Sequence, residues 1–367
     1  MGCLKNREMF KKRLSNINSY KPGKPIEEVK RELEVDEVYK LASNEIPFSP
    51  TYINKAIQKE LKNINRYPET GCFYLRRAVA KKLKVRENSI VFGNGSDEII
   101  TLALRALIED GDEVLVAYPT FLIYEIQARI EGAKIIRVPL KDFRYCLDDI
   151  ANKVTSRTKL IFIANPDNPT GTYLTNKEVK AFLDKIPSSV VVFFDEAYFE
   201  FAPADFPKSI RFLNERGNII VARTFSKAYG LAGARIGYGI TTPDIAAVLN
   251  KVREPFNVNR FAQVAAAAAV NNDEFLDKVI THVKREKQFL YKELSKIGIE
   301  FIRSATNFIL IDFKKDTGCL NQYLLENGII IRELKGWGLP NLFRVTVGLC
   351  KENKKFIDLL KRYVNSI

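Results

Sequence analysis

A lysine and an arginine, Lys227 and Arg235, stand in the stretch TFSKAYGLAGARIGYG (224–239) among small, aromatic and apolar residues. An ammonium group buried there without a partner would cost several kcal/mol. Either both cations face water, or an anion meets them. Once deprotonated, the Lys227 amine can form an imine with an aldehyde, and desolvation and nearby cations favour that deprotonation. Arg235 can grip a phosphate through paired N–H donors. Asp195 closes the apolar run VVVFFD, where a buried carboxylate needs a cationic partner. A protonated pyridine nitrogen would suit it. Tyr198 and Asn168 offer polar contacts to a ring hydroxyl, and Phe121 offers a face for stacking on a ring. Near Ser96 a helix begins, whose free N–H groups and positive dipole end form a second phosphate grip. Thr224 adds a hydroxyl. Aldehyde, phosphate, pyridinium and phenolate together describe pyridoxal phosphate.

The elements that must position these residues alternate along the chain. SIVFGN (89–94) reads as a strand and SDEIITLALRALIE (96–109) as a helix. EVLVAYP (113–119) is a strand followed by the helix FLIYEIQARIEG. AKIIRVPL and KLIFIANP (159–166) are strands. TNKEVKAFLDKI is a helix opened by Thr175 with Glu178 three residues on, a capping box. VVVFFDEAY (190–198) is a continuous apolar run, as expected of a strand buried on both faces. NIIVARTFS and RIGYGIT follow. This alternation predicts a doubly wound, mostly parallel sheet, which binds ligands at the carboxyl ends of its strands. GNGSDE, NPDNPTG, DEAY and SK all fall at strand ends, so they should converge on one crevice. Beyond residue 255 an alanine-rich helical segment leads through HVKREKQFLYKELSKIG into NFILIDF, a helix, GIIIREL and LFRVTVG, an α+β pattern. We divide the chain into an arm (1–40), a large domain (41–255) and a small α+β domain (256–367). The arm is expected to pack on the small domain or on a partner subunit.

The 367 residues are 46% hydrophobic and 28% charged, which predicts a globular protein with a sizeable core. No apolar run reaches the roughly 18 residues of a membrane span, and the first residues lack a secretory h-region. Asn6 stands where myristoylation at Gly2 would want Ser or Thr. Five scattered cysteines without CxxC spacing argue against a disulfide framework or zinc site, fit a reducing cytoplasm, and read as inert. A single histidine, His282, nearly excludes a histidine-based metal cluster; it reads as a surface residue. The net charge of +14 raises nucleic-acid binding, but the lysines are spread out and the densest stretch, 284–296, reads as a helix's polar face.

The ordered set GNGSDE, NPDNPTG, DEAY and SKAYGLAGARIGY resembles the fold-type I pyridoxal-phosphate aminotransferases. YKPGKPIEEVKRE (20–32), KLASNEIPF (40–48), NRYPET (65–70) and GIIIRELKGWGLPNLFRVTVG (328–348) are similar to the histidinol-phosphate aminotransferase branch. The resemblance runs from about residue 20 to the C-terminus. It implies a large domain with a mostly parallel seven-stranded sheet sandwiched by helices, plus a smaller α+β domain. It implies that Lys227 carries the cofactor imine and shuttles the substrate proton, and that Asp195 keeps the pyridine nitrogen protonated. Tyr198 and Asn168 would hydrogen-bond the ring oxygen, and Phe121, where many relatives carry Tyr or Trp, would stack on the ring. Gly95, Ser96, Asp97, Thr224, Ser226 and Arg235 would surround the phosphate, Asp97 through its backbone N–H. Tyr67 would reach it from the other subunit of a homodimer. Tyr20, Asn44, Arg332 and Arg344 would bind substrate; Ile46 departs from the usual second Asn of SNENP. The implied partners are a small amino donor and a 2-oxo acid, with no nucleic acid and no membrane. Aromatic amino-acid transamination and threonine-phosphate decarboxylation remain alternatives, as does a cationic binding protein that merely kept the fold.

Overall fold

The computed structural model describes residues 11–35 and 37–366; Gly2, Cys3 and Asn6 lie outside the described residues. The first strand, β1 (Tyr39–Lys40), is only two residues long. The strands β2 (Ile90–Gly93), β3 (Glu113–Tyr118), β4 (Lys134–Pro139), β5 (Thr158–Ala164), β6 (Val191–Asp195), β7 (Ile219–Thr224) and β8 (Gly237–Ile240) form one sheet in the order β2-β8-β7-β6-β5-β3-β4. Its central pairs are parallel, while β8 runs antiparallel to both β2 and β7. Every residue of β6 and β7 is buried, because helices cover both faces and leave no polar side to alternate. The Thr175–Glu178 capping box forms at the start of the Asn176–Leu183 helix.

The second layer is built from β9 (Glu300–Ile302), β10 (Phe308–Asp312), β12 (Arg332–Leu334) and β13 (Leu339–Thr346), ordered β12-β13-β10-β9 and antiparallel throughout; β11 (Ile329–Ile330) instead pairs in parallel with β1. Its core takes Val279, Leu290, Ile309, Phe343 and Phe356 from strands and helices alike.

Three sequence expectations need correction. The helical segment beyond residue 255 is two helices, Arg260–Val270 and Asp273–Lys296, because the Asn272 side chain accepts from the Phe275 N–H and starts a new helix. The first of these buries its alanines with Cys72, Leu75, Phe92 and Tyr238. It therefore shares a core with β2 and β8 of the large sheet and contacts the Asn54–Glu60 and Phe73–Leu83 helices, although it follows residue 255. His282 is buried, not on the surface: its Nε2 lies 2.9 Å from the Gly348 carbonyl and its ring meets Phe48 edge-on.

The arm touches both layers. Its helix Ile26–Leu33 buries Val29 with Ala42, Leu325 and Ile330, and Arg13 pairs with Asp110 beside the large sheet. Between those contacts, Tyr20, Pro22 and Gly23 line the crevice between the layers.

Candidate active site

The parallel strands β3, β5, β6 and β7 end on one edge of the large sheet, where Phe121 beyond β3 and the last residues of β5, β6 and β7 line a cavity of about 320 Å³. Lys227 follows β7. It keeps some exposure to this cavity, where its Nζ donates to the Ser43 carbonyl at 3.2 Å. Burial, with the nearby Arg344 charge adding to it, pushes the amine down to about 8. Asp195, the last residue of β6, is 6% exposed. It accepts from the Tyr124 hydroxyl at 2.7 Å and from the Ala197 N–H at 3.1 Å, and no described cation pairs with it. Burial raises its carboxyl to about 6. Tyr198 is buried, and its hydroxyl accepts from the Asn44 amide at 2.7 Å.

The phosphate end expected from the sequence also comes together. The Ser96–Leu107 helix points its N-terminus at Arg235, whose guanidinium lies 3.4 Å from Ser226 Oγ. Thr224 Oγ1 accepts from the Ser226 N–H. Two glycines make this approach possible. A Cβ on Gly95 would stand 2.6 Å from Arg235 Nη2, and one on Gly237 would stand 2.4 Å from the Ser96 nitrogen. The Asp97 side chain also takes part: its carboxylate pairs with Arg235 at 3.3 Å, a contact the backbone-only reading did not include.

On the opposite wall, Arg344 of β13 is 5% exposed. It donates to Asn168 Oδ1 and to the Ala42 carbonyl, its Nε has no partner, and burial lowers it to about 10. Arg332 of β12 is its direct neighbour across the ladder. Neither arginine has a carboxylate partner among the described residues, and like charges facing each other repel. Tyr20 lies under the Arg332 guanidinium at 5.5 Å and edge-on to Phe121 at 6.5 Å. The cavity therefore gathers Tyr20, Asn44, Ser96, Asp97, Phe121, Asn168, Asp195, Tyr198, Thr224, Ser226, Lys227, Arg235, Arg332 and Arg344. Tyr67 is not among them: it is 77% exposed and stacked on Phe256.

Sequence reasoning missed Tyr124. It is buried on the helix that follows Phe121, stacked flat on Phe162 and edge-on to Phe121. The signal was its spacing three residues after Phe121, one helical turn on, but a buried tyrosine in an apolar helix reads first as core. A second network was also missed. Buried Asp167 accepts from the Thr120 and Thr170 hydroxyls and so ties the NPDNPTG loop to the loop after β3.

The family model for aminotransferase class I and II matches residues 36–360. Histidinol-phosphate aminotransferase 2 of Carboxydothermus hydrogenoformans is 42% identical over 96% of this chain and 98% of its own. Histidinol-phosphate aminotransferase of Moorella thermoacetica is 42% identical over 94% of this chain and 90% of its own. Among solved structures, the pyridoxal-5'-phosphate complex of histidinol-phosphate aminotransferase from Sinorhizobium meliloti superimposes with a TM-score of 0.91 at 28% identity, covering 100% of this chain and 99% of that one. With the motifs converging on one cavity and the match running nearly end to end, this chain belongs to the class I and II aminotransferases.

Proposed function

We infer that the chain is a pyridoxal-phosphate-dependent aminotransferase that interconverts histidinol phosphate and 2-oxoglutarate with imidazole-acetol phosphate and glutamate, in histidine synthesis. The observation that carries this reading is one cavity holding a depressed lysine, a cation-seeking carboxylate and two arginines with no carboxylate partner among the described residues. The names of relatives about 40% identical over nearly the whole chain support the substrate.

The residues fit the cofactor. Asp195, buried without a cation among the described residues, suits a pyridinium nitrogen, and Arg235 with the Ser96 helix end suits its phosphate. Pyridoxal phosphate, when bound, supplies an aldehyde for amine capture and a ring that accepts electrons. Lys227 would hold the aldehyde carbon through Nζ, and its amine is placed to carry a proton to and from the substrate α-carbon. An amine near 8 is partly neutral at physiological pH, as both tasks require. Tyr198 and Asn168 would hydrogen-bond the ring oxygen, and Phe121 would offer its face to the ring. Arg344, Arg332 and Tyr20 hold the substrate's anionic end. Tyr67, exposed here, is assigned to the partner's site in a homodimer, and the cysteine pattern supports a cytoplasmic location.

Trp337, whose stretch suggested an aromatic substrate in the sequence, lies outside the lining of this cavity. The deciding experiment mixes the cofactor-bound enzyme separately with histidinol phosphate, phenylalanine and phosphothreonine and follows the visible cofactor band. Rapid loss with histidinol phosphate alone is expected. Rapid loss with phenylalanine alone, or carbon dioxide release from phosphothreonine, would move the assignment. A K227A variant should not transaminate at all.

A further inference from the structure

Trp337, the chain's single tryptophan, is 2% exposed and borders a different cavity from the one that holds Lys227. It sits in a one-turn 3₁₀ segment, Lys335–Trp337, between β12 and β13. Its indole Nε1–H donates to the Thr120 carbonyl at 2.8 Å, and its own carbonyl accepts from the Tyr118 hydroxyl at 3.1 Å. Both partners lie at the end of β3, one and three residues before Phe121. The turn of the small sheet is thus fastened to the large sheet at two points. Gly338 permits the close dock: its φ is +74°, and a Cβ there would stand 2.8 Å from the Tyr118 hydroxyl.

The Trp337 ring does something else at the same time. The Arg332 guanidinium lies over it, 5.0 Å from its centroid, while Nη2 donates to the Lys21 carbonyl at 2.6 Å. Arg332 faces Arg344 across the ladder. Two cations so placed repel, and a long side chain with no carboxylate among the described residues to hold it gains rotamer freedom by swinging into water. An indole face is the strongest of the aromatic faces for holding a cation.

We propose that Trp337 is the positioning residue for distal-anion recognition: stacked on Arg332 and fastened to the Tyr118–Thr120 loop, it holds that guanidinium at the cavity and sets the preference for a phosphorylated side chain. This rests on the reading of a phosphorylated substrate given above.

The test compares the cofactor-bound enzyme with W337F and W337L in single-turnover half-reactions with histidinol phosphate and with histidinol, which lacks the phosphate. W337L should lose about tenfold in kcat/KM for histidinol phosphate, carried by KM, and less than about twofold for histidinol. W337F keeps a ring face and should recover part of the loss. In an R332A background, W337L should have no further effect on the phosphorylated substrate. An equal loss on both substrates would make Trp337 merely structural and overturn the proposal, and so would no loss on either. A readout without turnover uses Trp337 as its own reporter. Titrating the ligand-free protein with inorganic phosphate should change tryptophan emission in a saturable way that R332A abolishes; emission that never responds would also overturn it. If phosphate is sensed but histidinol phosphate is not turned over, the substrate reading fails and the positioning role stands.

Discussion

Asp195 and Lys227 carry opposite consequences of the same burial. Desolvation disfavours whichever form is charged, so it raises the acid and lowers the amine. For Asp195 the folded protein keeps a proton to about pH 6, whereas the unfolded chain releases it near 4. Stability of the ligand-free protein therefore falls as pH rises through that window, by at most about 3 kcal/mol from this group. D195N should remove that part of the slope, measured as the difference between urea-unfolding curves at pH 4.5 and 6.5. A variant slope equal to that of the unsubstituted protein would refute the assignment. Buried Asp167 is shifted in the same direction and remains in both proteins, so only the difference is informative. Tyr124 donates to Asp195 and touches Phe121, which makes it the residue between the two groups assigned to the cofactor ring. Its apolar neighbours concealed it in the sequence, where nothing tells which carboxylate a core tyrosine will meet.

At the scale of elements, the crevice depends on how closely β8 approaches the Ser96–Leu107 helix. Gly237 lies at that contact, and a methyl group there would collide with backbone rather than with a yielding side chain. G237A should lower the melting temperature, consistent with an overpacking cost of about 1–3 kcal/mol. It should also weaken pyridoxal-phosphate binding, because Arg235 and the helix end would move apart. Gly233 has open space where its Cβ would be, so G233A should change neither. Thermal unfolding and cofactor titration of the two variants check this. The strands themselves were legible because β5, β6 and β7 each carry an apolar run (LIFIA, VVFF and IIVA) that leads into a polar motif. The antiparallel direction of β8 was not, since a run of apolar residues carries no sign of which way it will pair. The break at Asn271–Asn272 was visible as two cap-forming residues, but it was overridden by the strong helical composition on both sides.

For the whole molecule, the site exists only because the two layers and the arm meet. Ser43 and Asn44 reach Lys227 and Tyr198 from the segment after β1, and Arg344 reaches Asn168 from β13. Leu61, Ile64, Tyr67, Phe73 and Tyr74 are all exposed large apolar residues within fourteen positions, with Tyr67 stacked on exposed Phe256 and Phe73 edge-on to Tyr74. This supports the proposed dimer with Tyr67 donated across it. Subunit mixing tests that: K227A and Y67F variants, each impaired alone, should regain activity when mixed, since one hybrid site would then receive both native residues. Mixed activity no greater than the sum of the separate ones would place Tyr67 elsewhere.

The chain alone determined the chemistry on offer. Lys227, Asp195, Arg235 and the Ser96 helix start are recognisable because strand ends, caps and turns leave local marks in sequence, and their order fits a doubly wound sheet. It also determined the two-part layout, since the alternation of apolar runs changes after the large sheet. What only tertiary structure decided is which groups stand without partners. That Asp195 lacks a cation among the described residues, that Arg332 and Arg344 face each other with no carboxylate among them, that His282 is buried and that Trp337 lies beneath Arg332 all depend on contacts between residues far apart in the chain. Charge compensation and burial are set by three-dimensional neighbours, and the spacing of residues along one strand or helix does not encode them.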